Sequence, residues 1–280
     1  MQKDLKVVFF GTPDFVIPVL KVLFENFKVV GVVTNLSSHV SQYVTHQHKL
    51  NITILAPFQG SPDRIREFAD LKPDLAVVAS YGEILSKNAL DIPKHGFINI
   101  HPSLLPKYRG ASPIQSAILE GDPQTGVTII KMDEEMDHGP ILIQDTLGLN
   151  TDDNFQTLSK KLFQFSADLL VKTIEDFINK KITLEEQDHS KASYCKRLSK
   201  TDGYFDLDSP PPMEVLDRMI RAYFPWPTAW TLFRQDSRGQ AKIVKLLPGG
   251  LVQIEGKNPT TLNSFLNGYP NFPIKNLSST

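Results

Sequence analysis

The chain has 280 residues, enough for one large domain or two ordinary ones, with 41% hydrophobic and 22% charged residues; this composition excludes a disordered or fibrous chain. A net charge of -1 excludes strong overall attraction to nucleic acid or membrane and leaves a local basic patch open. Cys195 stands alone, so an intrachain disulfide framework and a Cys-based zinc site are both ruled out, in keeping with a reducing cytoplasm.

Met1–Lys6 carries charges and runs into Val7–Phe10, too brief for a signal core, and no segment reaches the length of a membrane span. Lys6–Phe10 reads as a buried strand stopped by Gly11. A helix should follow, with Thr12 as N-cap, Pro13 at the first helical position, Asp14 at the positive end of the dipole, and Phe15, Val19, Leu20 and Leu23 on one face. Val29–Thr34 and Leu75–Ser80 are further buried strands, separated by a polar helical segment around Arg64–Leu71. Phe97–His101, Val127–Met132 and Ile141–Leu147 follow as strands. Strands alternating with helical segments predict an α/β layer with a largely parallel sheet. Residues 152–180 have helical periodicity, with Asp152 or Asp153 as cap.

Residues 183–203 are polar and aperiodic, as in a connector. Beyond them come Pro210-Pro211-Pro212, a short amphipathic helix Met213–Ala222, Pro225-Trp226-Pro227, and short strand-like runs. A catalytic domain over 1–182, a linker over 183–203 and a smaller, mostly β domain over 204–280 are expected, with a loose tail from Pro270 and the Pro-Trp-Pro segment packing the second unit on the first. Arg234, Arg238, Lys242, Lys245, Lys257 and Lys275 outnumber Asp236 and Glu255, so the second unit is locally basic; a nucleic-acid surface and a plain solvated one are both open.

The chemistry gathers around Asn99-Ile100-His101-Pro102. In a strand, residues 99 and 101 project from the same face, and the strand's carboxyl end is where ligands sit in α/β sheets. An amide can donate to a developing oxyanion, and an imidazole can carry a proton near neutral pH. Such a pair calls for a carboxylate, and Asp137 in Met136-Asp137-His138-Gly139 is the candidate, with Gly139 allowing close backbone approach. The alternative is an Asn that ends a strand and a satisfied turn histidine. Gly11-Thr12-Pro13-Asp14-Phe15 lies where a dinucleotide fingerprint would fall, but G-x-G-x-x-G is absent. His46 and His48 form an H-x-H pair without a third ligand and read as solvated. Lys107-Tyr108-Arg109 sets two cations and an aromatic beside the site, either to contact phosphate or a base or to form a rim.

Taken together, these segments resemble the methionyl-tRNA formyltransferases. The matching pieces, in family order, are Phe9–Phe15, Val77–Leu85, Ile98–Gly110, Thr125–Ile129, Met132-Asp133 with Asp137-His138-Gly139, and Ile220-Arg221-Ala222 with Pro225-Trp226-Pro227. The resemblance implies a Rossmann-like catalytic domain with an abbreviated OB-like C-terminal domain, acting as a cytoplasmic monomer in translation initiation. It implies 10-formyltetrahydrofolate as co-substrate, methionyl initiator tRNA as partner, no metal and no membrane. It places the catalytic set on Asn99, His101 and Asp137, and the folate site on Ser80, Tyr81, Gly82, Ile84, Leu85, Ser103, Leu104, Leu105, Pro106 and Gly139. Thr12, Pro13, Asp14, Phe15, Lys107 and Arg109 fall at positions implied to bind substrate. Asn99 and His101 would stabilise the oxyanion of a tetrahedral intermediate, with Asp137 holding His101. The chain departs from the family at Pro102, where Gly is usual, and at Asn35–Gln42, which replaces a basic loop with one lacking Lys and Arg. Formylation of an amino-sugar nucleotide, binding without turnover, and hydrolysis of formyl-folate are the competing readings.

Overall fold

Apolar runs of five or six residues become the central strands because both of their faces are covered. A computed structural model describes residues 3–47, 52–235 and 240–277. In it β1 (Lys6–Phe10) leads through a 3-10 turn at Asp14–Val16 into α1 (Ile17–Asn26), then β2 (Lys28–Val33) and α2 (His39–Gln47). Next come β3 (Thr53–Leu55), α3 (Pro62–Asp70), β4 (Leu75–Ala79), α4 (Lys87–Leu90), β5 (Phe97–His101) and β6 (Arg109–Gly110). The chain continues through α5 (Pro113–Glu120), β7 (Gln124–Lys131), β8 (Ile141–Gly148), α6 (Phe155–Ile178) and β9 (Tyr194–Cys195). It ends with α7 (Met213–Tyr223), β10 (Ala229–Phe233), β11 (Lys242–Leu247), β12 (Leu251–Ile254), β13 (Thr260–Thr261) and α8 (Leu262–Gly268).

Two helix starts differ from the sequence expectation. Thr12 does not cap α1: Pro18 occupies the first turn, and the residues before it tighten into the 3-10 turn, with Pro13 at its N-cap and no side-chain capping bond. At α6 the cap is Asn154, whose Oδ1 accepts the N–H groups of Gln156 and Thr157 at 2.9 and 3.1 Å. Asp153, buried, instead accepts the Asn150 N–H at 3.0 Å. His48, Asp236 and Arg238, and the last residues of the tail, lie outside the described residues.

The chain divides into two units that interleave in sequence. The first comprises Met1–Gly110, Thr125–Leu147 and Ser159–Tyr194; the second comprises Ala111–Gln124, Gly148–Leu158 and Cys195–Thr280. The expected consecutive division at 182 and 203 does not follow these units, because α5 packs on α7 and residues 183–194 belong with the first. In the first unit the sheet order is β3-β2-β1-β4-β5-β7-β8. The first five strands run parallel, and β7 pairs antiparallel with β5. The order reverses between β1 and β4, which opens a crevice at their carboxyl ends. One face is filled by a cluster in which Phe10 meets Phe58, Phe68 and Tyr81 edge-on at 5.4, 5.3 and 5.2 Å between ring centres.

The second unit has a four-stranded antiparallel sheet in the order β10-β11-β12-β13, so β10 and β13 are its edges. Alternate residues Val244, Leu246, Val252 and Ile254 join Leu216 and Ile220 of α7 and Phe265 of α8 in its core. The Trp226 side chain is 55% exposed, which the packing role expected for it does not account for.

Gly11 marks the switch point. A Cβ there would lie 2.6 Å from the Phe9 ring and 2.7 Å from the Ala79 carbonyl oxygen. Gly11→Ala should therefore cost about 1–3 kcal/mol of overpacking. Urea unfolding checks it; an unchanged midpoint would contradict the close approach of β1 and β4.

Candidate active site

β5 carries the site. Ile98 and Ile100 face a core and are fully buried, so Asn99 and His101 share the opposite face. Asp137 reaches them from the loop between β7 and β8, where its backbone is left-handed with φ at 50°. Its Oδ1 accepts the Asn99 Nδ2–H at 3.1 Å and lies 3.5 Å from His101 Nδ1, while its Oδ2 accepts the Gly110 N–H at 2.8 Å. The other ring nitrogen of His101, Nε2, lies 2.9 Å from the Tyr108 carbonyl oxygen. A carbonyl can only accept, so Nε2 carries hydrogen and Nδ1 is the ring nitrogen that faces Asp137. Asn99 keeps a second N–H, with no protein acceptor among the described residues, to offer to a negative oxygen.

The loop bearing Asp137 is wedged against β7. A Cβ on Gly139 would come within 1.8 Å of the Lys131 carbonyl oxygen, so only glycine permits this approach. Gln187 closes the loop from behind, donating from Nε2 to the carbonyls of Asp137 and Gly139 at 2.9 and 2.7 Å. Arg109, expected to touch substrate, is 2% exposed, and its guanidinium is committed to Gln187 Oε1 and His189 Nδ1. Lys107 remains exposed, its Nζ 4.6 Å from the centre of the Tyr108 ring.

The segments expected to hold the folate are shaped mainly through backbone. Ser103, Leu105, Tyr81 and Leu85 turn inward and are buried, whereas Ile84 is 82% exposed. Leu104 and Pro106 are half-buried, and Ser80 and Gly82 are exposed in left-handed conformations, with φ at 52° and 80°. Buried Thr128 locks the Ser103–Pro106 loop: its hydroxyl donates to the Ser103 carbonyl at 2.6 Å and accepts the Leu105 N–H at 3.1 Å. Gln144 adds donations to the Leu105 carbonyl and to Thr128 Oγ1, both at 2.8 Å. On the other side of the crevice, the Tyr81 hydroxyl donates to Glu83 at 3.0 Å and accepts the Phe58 N–H at 3.0 Å. Thr12, Pro13 and Phe15 are half-buried after β1, with Phe15 packed on Phe163 at 5.0 Å, and Asp14 is exposed.

Thr128, Gln144 and Gln187 were not among the residues expected from sequence. Thr128 sits in an apolar strand and Gln187 in a stretch without period, so neither carries a local signal. His46 Nδ1 donates to the Gln42 carbonyl, and no group of His, Cys, Asp or Glu suited to a metal occurs among the described residues. Nor is any helix among them long and apolar enough to cross a membrane.

Residues 6–174 match the formyl transferase family model, so fold and site define a formyltransferase. The chain is 42% identical over 244 residues to the methionyl-tRNA formyltransferase of Roseiflexus sp. (strain RS-1), covering 82% of this chain and 74% of the relative. It is 34% identical to that of Thermodesulfovibrio yellowstonii over 94% of this chain and 95% of the relative. It belongs to the methionyl-tRNA formyltransferase family. Its fold is shared with an N-formyltransferase from Helicobacter canadensis solved with folinic acid and dTDP-3-aminofucose, at a TM-score of 0.63 and 17% identity over 91% of this chain and 95% of that one.

Burial of the Tyr81 ring, reinforced by the Glu83 carboxylate, pushes its phenol well above the ordinary tyrosine range. The folded state thus holds this proton more tightly than the unfolded chain. The stability it contributes is present below about pH 10 and is lost as pH rises beyond that. Tyr81→Phe should cost about 1–3 kcal/mol, because the Phe58 N–H loses its acceptor. It should also flatten the alkaline fall. Denaturant titrations at pH 8 and above would show both; an equally steep fall in the variant would assign it to another group.

Proposed function

We propose that this enzyme moves the formyl group of 10-formyltetrahydrofolate to the amino group of methionyl initiator tRNA, with Asn99, His101 and Asp137 carrying the chemistry. The observation that carries this reading is the meeting of Asn99 Nδ2 and His101 Nδ1 at one Asp137 carboxylate oxygen, at the carboxyl end of β5. The amine nitrogen attacks the formyl carbon, and the carbonyl electron pair moves onto oxygen. The second Asn99 N–H and a His101 Nδ1–H stabilise that oxyanion. The nitrogen that attacked gives up one proton, N10 of the folate takes one, and the N10–carbon bond breaks as the oxyanion electrons return. Asp137, tied to Gly110, keeps His101 and Asn99 aligned while the proton moves.

The folate would lie between the Ser80–Leu85 turn and the Ser103–Pro106 loop, reading main-chain groups. Gly139, expected beside the folate, instead lets the Asp137 loop approach β7. The tetrahedral site needs no metal. The acceptor would be met by Thr12–Phe15, which follow β1, and by exposed Lys107. The family membership favours a tRNA acceptor, as does the excess of cations beyond Pro227, where Arg234, Arg238, Lys242, Lys245, Lys257 and Lys275 outnumber Asp236 and Glu255; a reducing cytoplasm and a monomer suit that role. The Asn35–Gln42 stretch, which begins with an Asx turn at Asn35, carries no Lys or Arg, so tRNA contact would fall to other cations.

An assay with 10-formyltetrahydrofolate and three acceptors tests this. Methionyl-tRNA should be formylated, with affinity falling as salt rises; an amino-sugar nucleotide and buffer alone should not turn over. Transfer to the sugar alone, or hydrolysis alone, would overturn the reading. Asn99→Ala should fold normally and lose about 10²–10³ in kcat.

A further inference from the structure

Gln187 is the least expected group near the site. It lies 5% exposed in an irregular segment, and all four hydrogen-bonding positions of its amide are used. Nε2 donates twice, to the Asp137 and Gly139 carbonyls at 2.9 and 2.7 Å. Oε1 accepts twice, from Arg109 Nε at 3.2 Å and Nη2 at 2.7 Å. The orientation of the amide is over-determined. A guanidinium only donates, so the oxygen must face Arg109, and the NH2 is then left to face two carbonyls that only accept. Arg109 is itself held in place: its Nη2 also donates to His189 Nδ1 at 2.8 Å, and its main-chain N–H to the Ser193 carbonyl at 2.8 Å.

The consequence falls on Asp137. Its left-handed backbone is an arrangement that costs free energy unless neighbours hold it. Gln187 bonds the carbonyl of Asp137 itself and the carbonyl two residues on, and so fixes the turn that aims the carboxylate at Asn99 and His101. We infer that Gln187, oriented by Arg109, is a positioning residue for formyl transfer that acts through Asp137. This rests on the catalytic set proposed above. It also explains why Arg109, beside an active site, points into the fold.

Two substitutions separate this role from a general contribution to folding. Gln187→Glu keeps an acceptor for Arg109 but turns an oxygen toward the two carbonyls; Gln187→Met removes every bond without adding charge. Both should keep a wild-type circular dichroism spectrum, lower kcat about 10²-fold and move either KM by less than about threefold, since the loss is one of alignment. If the first does not fold, the second decides. Single-turnover transfer of labelled formyl in an Asp137→Ala background supplies the second readout. There Gln187→Met should cost little more, because its target is gone. A folded Gln187→Met enzyme with wild-type kcat, or an undiminished loss in the Asp137→Ala background, would overturn the inference. A wild-type protein inactive with every acceptor would instead sink the catalytic reading beneath it.

Discussion

The Asp137 carboxylate is the point on which the site depends. Its two oxygens face donors and a ring nitrogen from three places in the chain: the Asn99 amide and His101 on β5, and the Gly110 main chain. A carboxylate with two fixed N–H donors cannot rotate without breaking a charge-assisted bond, so each partner is oriented by the others. The sheet supplies the other half of the constraint. Parallel β4 and β5 bring Ser80 and His101 out at the same edge, and the β1–β4 reversal leaves the crevice beside them open.

Around this centre the protein uses polar side chains as struts. Thr128 and Gln144 hold the Ser103–Pro106 loop, Tyr81 and Glu83 hold the turn after β4, and Gln187 with Arg109 holds the Asp137 loop. The first and last of these bond main-chain atoms of the loop they hold, whereas Tyr81 and Glu83 tie their turn to the main chain of Phe58 and Gln59. A loop held in this way can present its backbone to a ligand without reorganising on binding, which is what electrostatic stabilisation of a transition state requires.

The elements that depend on periodicity were legible in the sequence. β1 and β5 fall on the expected residues, and α7 runs one residue beyond its expected end. Asn99, His101 and Asp137 could be paired because strand alternation places the first two on one face and chemistry asks for the third. The capping of α1 was misplaced because Pro18 competes with Pro13 for the helix start. Arg109 was taken for a surface cation because burial of a guanidinium depends on a partner 78 residues away, Gln187, which no local pattern discloses. The interleaving of the two units was hidden for the same reason: α7 reads as an ordinary amphipathic helix, the Pro113–Glu120 segment that becomes α5 carries no assigned element in the sequence, and their pairing is a tertiary fact.

The account stands or falls on where the formyl group sits. A crystal structure of the protein with 5-formyltetrahydrofolate measures this directly. The account places the pteridine and its formyl-bearing edge between the Ser80–Leu85 turn and the Ser103–Pro106 loop. The Asn99 amide nitrogen should then lie about 3 Å, a hydrogen-bond distance, from a formyl oxygen or from a water held in its place. A folate seated away from β5, with Asn99 and His101 turned from it, would contradict the account.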